Sequence, residues 1–423
     1  MKGQYFRYVL IILIGMTFVT VLHAGPSEDI FGASSRVQAM GGAGTAFSQD
    51  ASATFYNPAL LTKCPKQTLS LGYQLANTDL IVKDNKNKDL PNKQLGFSQA
   101  TNIGACLSPF ENLGVGFYAS FPLQMPLKIP DIETINSTPR FLMYGANATF
   151  PTAVVGLAYA PLKQLSLGLS VALSAGVGIH QTMNMPVFAS TVSPHIYPLL
   201  RVIAGVTGNP LEALTLSLVY RQASYGQFSV DVETTTTPIS WMASAGLALQ
   251  LGSVLGYSPE QIAFGLSYQF GSSWLLGADL TYYLWASAPS IFMSAKAKRH
   301  TFISNKMTFP AEENMALRNS FVPRLGLEYS LNEKVKIRLG YAFHMSAAPI
   351  PSKISNILDG NIHRATFGSG YRFLSFSKIS LTADAFVAVD VMLQKSVAKS
   401  NEPRNYNFGG SAMSAGLTLK AEY

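Results

Sequence analysis

Apolar and polar residues alternate with period two along most of this 423-residue chain. In the stretch from Val335 to His344, Val335, Ile337, Leu339, Tyr341 and Phe343 share one face, and Lys336, Arg338, Gly340, Ala342 and His344 share the other. Ile262 to Phe270 and Trp274 to Leu284 read the same way, and Ala412 to Tyr423 ends the chain on an aromatic. Period two is the signature of a strand with two different faces. Segments of this kind bounded by turn residues predict about fourteen strands. They begin near Thr68, Phe97, Leu113, Thr152, Leu165, Leu199, Leu214, Gln261, Trp274, Val322, Val335, Ile362, Lys378 and Asn407. About 9–11 residues suffice to cross a bilayer at the usual tilt. An apolar face toward lipid and a polar face toward a lumen predict an all-β fold, a transmembrane antiparallel β-barrel.

The connections support this reading. Short links near Pro109–Asn112, Pro161–Lys163, Gly208–Glu212, Gly271–Ser273, Leu331–Lys334 and Leu374–Ser377 alternate strictly with long ones at Asp84–Gly96, Pro126–Thr149, His180–Pro198, Gln222–Glu260, Ala286–Phe321, Ser346–Asn361 and Met392–Tyr406. Transmembrane barrels show that asymmetry, with short periplasmic turns and long external loops. An even strand count with both termini in the periplasm follows. The long loops are apolar: Pro126–Thr149 carries Phe141, Leu142 and Met143, and Gln222–Glu260 carries Trp241, Leu247, Leu251 and Leu255. The last three, at i, i+4 and i+8, predict the stripe of a short helix. Two readings of these residues stand: a greasy groove for a hydrophobic ligand, or loops that only pack on one another and on whatever fills the barrel.

Composition removes other classes. The chain is 48% hydrophobic and 13% charged with a mean hydropathy of +0.19, yet after its N-terminus it lacks the ~20-residue apolar runs of a helical membrane protein. Residues 1–24 read as a secretory signal peptide, with Lys2 and Arg7 before the apolar stretch Val9–Val21 and Ala24 at the cut. Leu22 stands where a smaller residue is preferred, so a retained anchor is the competing reading. Export to the outer membrane of a Gram-negative bacterium is the expectation. The net charge of +8 is scattered over the sequence, which excludes the basic stripe of a nucleic-acid binder. Outer-membrane lipid, lipopolysaccharide and acidic ligands suit that charge better. Cys64 and Cys106 either pair or remain two buried thiols. Six dispersed histidines carry no metal-ligand spacing and no G-x-S-x-G elbow is present, so neither an enzyme nor a cofactor is expected.

Residues 25–66 do not alternate. They are rich in small residues and contain Met40-Gly41-Gly42-Ala43, Asp50 with Ala53 behind it, and Asn57-Pro58-Ala59. No GK[ST] follows the glycines, which excludes a phosphate loop. A compact segment of this composition suits a plug inside a barrel lumen. With these motifs the chain resembles the outer-membrane transporters for long-chain fatty acids and aromatic hydrocarbons, the FadL/TodX family. That resemblance implies a signal at 1–24, an N-terminal hatch at 25–66 shaped by Gly41, Gly42, Asp50, Asn57, Pro58 and Ala59, and a barrel over 67–423. It implies a monomer that takes up hydrophobic small molecules passively, through an apolar lumen pocket, hatch movement and lateral exit into the bilayer. Phe141, Leu142, Met143, Trp241, Leu247 and Leu251 become candidate ligand contacts. Phe121-Pro122, at the end of the third strand, becomes a candidate lateral exit; an ordinary strand end is the other reading. Lumen-facing Arg324, Arg338 and Arg364 either bind a ligand carboxylate or brace the wall with Glu328, Asp384 and Asp279. Since fold does not fix function, a non-transporting barrel that serves secretion or assembly is the alternative.

Overall fold

The computed structural model describes residues 32–65, 67–92, 94, 96–123, 138–144, 151–184, 189–235, 247–289, 294–299, 316–351, 356–376, 379–399 and 404–423. The expected signal peptide at 1–24 and Trp241 lie outside them. Among the described residues the strands are β1 (Gln67–Asp84), β2 (Phe97–Phe110), β3 (Leu113–Pro122), β4 (Arg140–Phe141), β5 (Thr152–Leu162), β6 (Leu165–Asn184), β7 (Ala189–Leu211), β8 (Leu214–Arg221), β9 (Ser224–Thr235) and β10 (Leu247–Ser258). They continue with β11 (Gln261–Phe270), β12 (Trp274–Tyr283), β13 (Ser294–Arg299), β14 (Ser320–Ser330), β15 (Val335–His344), β16 (Ile357–Leu358), β17 (Ile362–Phe376), β18 (Ile379–Ala398) and β19 (Asn405–Glu422).

All but β4, β9, β10, β13 and β16 join in one antiparallel ring of fourteen strands. The first and last strands close it, in register from Thr68 opposite Glu422 to Asp84 opposite Tyr406. Closure satisfies every strand edge, which hydrocarbon demands because it offers no water to an unpaired backbone. The alternation sorts as the sequence implies. In β1, Leu69, Leu71, Tyr73 and Leu75 are exposed on the lipid side, whereas Thr68, Gln74, Ala76 and Thr78 are buried. Aromatic pairs sit at both rims: Trp274 with Tyr329 (ring centroids 4.4 Å apart) and Tyr268 with Phe270 (4.5 Å) at the short-turn end, Tyr282 with Phe321 (4.7 Å) at the other. These are the positions of interfacial girdles.

Two expectations are corrected on the external side. Residues 180–184 and 189–198 are strand and not loop: β6 and β7 stay paired up to Asn184 opposite Ala189. Leu247, Leu251 and Leu255 lie in strand β10, not on a helix, and β10 pairs with β9 and β13. β9 in turn runs parallel to the end of β6. Above the hydrocarbon nothing selects for an apolar face, so period-two hydrophobicity lapses while the backbone still pairs. The Leu spacing fits both periods, since Leu247, Leu249 and Leu251 also alternate.

The hatch fills the lumen toward the short-turn end. It comprises helical turns at Ser35–Ala39 and Ala53–Tyr56 and a 3₁₀ turn at Pro58–Lys63. From residue 32 to 65 only Gln49 is exposed. Its seat is made of glycine: β2, β3, β5, β6, β7, β11, β12, β14, β15 and β17 each carry one where the hatch touches the wall. A Cβ at Gly277 would fall 2.7 Å from the Phe47 ring, and one at Gly265 2.7 Å from Thr45. Real Cβ atoms do not approach so closely, so the wall is thinned where the plug rests.

Candidate functional site

The Asn57-Pro58-Ala59 motif is the joint of the hatch. Asn57 Oδ1 accepts from the Ala59 amide at 3.1 Å and caps the 3₁₀ turn, while Pro58 takes the first position, where no amide is needed. Asn57 Nδ2 donates to the Thr45 carbonyl and to Thr207 Oγ1, both at 2.8 Å, tying the two halves of the hatch to β7. Ala59 is fully buried against Gly168. Asp50 accepts from the Ser52 amide at 2.9 Å and from its hydroxyl, which fixes the turn before Ala53. Gly41 and Gly42 have φ of +68° and +80°, the left-handed region that favours glycine. The Gly41 amide donates to Thr366 Oγ1 at 3.0 Å. All six motif residues thus shape and seat the plug.

Cys64 and Cys106 are free thiols buried in one apolar cluster with Leu60 and Leu61. The lumen arginines divide. Arg338 is held by Glu328 (2.6 Å) and Asp384 (2.7 Å) on the wall. Arg364 grips Asp390 with two bonds of 2.6 and 2.7 Å. Asp279 forms no ion pair with an arginine among the described residues, although Arg324 stands opposite it on the ladder; it accepts from the Thr45 amide and hydroxyl of the hatch at 3.0 and 2.6 Å. Arg324 forms no ion pair among the described residues. It donates to Thr281 Oγ1 (2.7 Å) and to the Tyr283 hydroxyl (3.0 Å), beside Gly42 of the hatch.

Arg36 was not among the sequence candidates. It donates to Glu328 through Nε (2.9 Å) and Nη2 (3.1 Å) and lies over the Phe47 ring at 5.4 Å. Its signal was present, because Arg36 is the only charged residue between 32 and 49. A lone cation in a segment destined for burial needs a carboxylate.

Above the hatch the lumen turns apolar. One cluster gathers Leu80, Phe141, Tyr144, Leu358, Met392 and Phe408 from β1, β18, β19 and two external segments. A second gathers Tyr283, Trp285, Val322, Ala347 and Ile357, with Leu142, Met143 and Tyr257 against it. The segment Arg140–Tyr144 runs between them. β4 pairs in parallel with β16, and the Leu142 amide donates to the Leu358 carbonyl at 2.9 Å. Phe141 packs edge-on to Phe408 with centroids 6.2 Å apart, and the Tyr144 hydroxyl donates to Asp390 at 2.8 Å. Phe141, Leu142 and Met143 are therefore together at the apolar end. Leu247 and Leu251 lie on β10, outside the ring. At the end of β3, Phe121 faces lipid and Pro122 is buried; the ladder to β5 ends at Ser120 opposite Thr152. The arrangement offers apolar surface at the external end, with Arg324 beneath it opposite Asp279 on the ladder, and the hatch below.

Comparison with known proteins matches this geometry. The family described as outer membrane protein transport protein (OMPP1/FadL/TodX) matches residues 29–423. Alkane uptake protein A of Marinobacter nauticus is 25% identical over 324 residues, covering 71% of this chain and 68% of that protein. Among solved structures, a Pseudomonas aeruginosa FadL homologue superposes with a TM-score of 0.56 at 15% identity, covering 90% of this chain and 94% of its own. The Pseudomonas putida toluene transporter TodX gives 0.55 at 16% identity, with 92% and 97% covered. At such identity these structures speak to the fold.

Proposed function

The chain belongs to the outer membrane protein transport protein family (OMPP1/FadL/TodX), and on that premise we propose that it admits hydrocarbons and long-chain fatty acids passively through the outer membrane. The observation that carries this reading is the pair of apolar clusters around Phe141, Leu142 and Met143 above the hatch. Each methylene that passes from water into such a site gains about 0.8 kcal/mol, so an alkyl chain settles there before any gate moves. Exit through the closed hatch would mean displacing Asn57, Arg36 and Asp279 contacts together. A sideways exit at Phe121-Pro122, where Pro122 donates no ladder bond and the β3–β5 pairing has ended, avoids that cost.

Arg324 is the residue that reads a head group. It stands between the hatch and the Tyr283–Trp285 cluster with only hydroxyl partners among the described residues, and its guanidinium fork matches a carboxylate. A fatty acid can lay its tail in the cluster and its carboxylate on Arg324, whereas an alkane uses the cluster alone.

Trp285 lies in that cluster and reports occupancy by fluorescence. Titration of the purified barrel with oleate and with hexadecane should saturate in both cases. Phe141→Asp should weaken both, and Arg324→Gln should weaken oleate only. No saturable change with either ligand would remove hydrophobe uptake as the function; equal loss of both in Arg324→Gln would remove the carboxylate role.

A further inference from the structure

Besides the apolar clusters, the lumen holds a chamber lined by charged side chains. At the short-turn end a cavity of about 370 Å³ lies between the hatch and the wall strands β11 to β19. Seven cationic side chains and four carboxylates line it. Glu328 is shared by Arg36, Lys336 and Arg338, Asp384 is taken by Arg338, and Glu422 by Lys420 at 2.8 Å. Three cations remain that no carboxylate meets among the described residues, Lys63 of the hatch, Lys334 in the β14–β15 turn and Arg372 of β17; the fourth carboxylate, Glu333, stands beside Lys334 in the same turn and is likewise in no ion pair among them. Lys63 reaches only the amide oxygen of Asn209, and burial lowers its pKa to about 8. The Arg372 Nε is buried and has no hydrogen-bond partner among the described residues.

The seven cations of the lining outnumber its four carboxylates by three, and a polyvalent anion in the chamber offsets that surplus. Two point-charge ammoniums and one guanidinium fork match phosphate oxygens. The lining belongs to lumen faces and turns, so the chamber is reached from periplasmic water and not from the bilayer. We propose that this chamber binds a small, soluble phosphate-bearing anion between Lys63 of the hatch and Lys334 and Arg372 of the wall. The bound anion bridges hatch to barrel and favours the seated hatch.

The test is calorimetric titration of the full-length protein in detergent with inorganic pyrophosphate, against sodium chloride at equal ionic strength. Saturable heat is expected for the wild type. Losing one charge-assisted contact should weaken it about tenfold in Arg372→Gln and again in Lys334→Gln. Lys334 is an exposed turn residue, so its variant leaves folding intact, which heat-modifiable gel mobility verifies. Absence of saturable heat in the wild type, or unchanged affinity in both variants, overturns the proposal. Oleate and hexadecane titrations on Trp285 are read separately, so loss of the anion site leaves the uptake reading standing and the reverse also holds.

Discussion

Glu328 is the hinge of the ionic seat, and its removal should cost far more than removal of the hatch arginine that it holds. The carboxylate is 3% exposed and meets Arg36 at 2.9 Å, Arg338 at 2.6 Å and Lys336 at 3.1 Å. Glu328→Ala strands Arg36 and half of the Arg338 network, although Arg338 keeps Asp384 at 2.7 Å. Stranding one partner of a buried pair costs about 3–5 kcal/mol. The Lys336 side chain is 37% exposed and is screened by water, so it adds little. Arg36→Met is different in kind: Glu328 retains two cations, and the thioether chain keeps part of the packing on Phe47. Losing the charged hydrogen bonds alone should cost about 1.5–3 kcal/mol. Urea unfolding of the barrel in lipid vesicles, followed by tryptophan fluorescence, gives both values. Planar-bilayer conductance adds a second readout, since an unseated hatch opens the lumen to ions. Equal costs for the two variants, or a Glu328→Ala cost below about 1 kcal/mol, would refute the argument.

Three further outcomes follow from the hatch and its surroundings. Gly41→Ala combines a left-handed φ with a Cβ 2.8 Å from the backbone of Leu325 and Tyr341, which cannot swing aside; a cost of about 2–4 kcal/mol in the same unfolding assay is expected from strain and overpacking. Asn57→Ala removes three hydrogen bonds at a fully buried joint and leaves the Thr45 carbonyl unpaired, so about 2–3 kcal/mol and raised protease cleavage within the hatch are expected, with the barrel's gel mobility unchanged. Burial lifts the Asp359 carboxyl to about 6 in spite of bonds from the Ala347 and Ala348 amides. The folded protein then holds a proton between pH ~4 and ~6 that the unfolded chain has released, so this contribution to stability is full below pH ~4 and is lost as pH rises through 6. Asp359→Asn should flatten that slope, and an unchanged slope would rule Asp359 out as its source.

Much of the ring was legible because lipid on one side and lumen on the other impose period two on every crossing strand. Eleven of the fourteen strands begin within a residue of where the alternation starts, as at Phe97, Leu113, Leu165, Trp274 and Val335. The turn at Asn57-Pro58 and the left-handed glycines Gly41 and Gly42 were legible too, since they act through local backbone geometry. The external extensions were not, because above the membrane backbone pairing persists without an apolar face to mark it; residues 180–184, residues 189–198 and β10 are the cases.

The sequence by itself determined a barrel of about fourteen strands with a small-residue plug, because those features follow from local periodicity and turn chemistry. The tertiary structure alone decided that Arg36 answers to Glu328, that Asp279 serves Thr45 while Arg364 takes Asp390, and that Phe141 meets Phe408. Arg36 and Glu328 lie 292 residues apart. Such partners are set by the radial order of strands around a closed ring, and no local pattern in the chain encodes which residues that ring brings face to face.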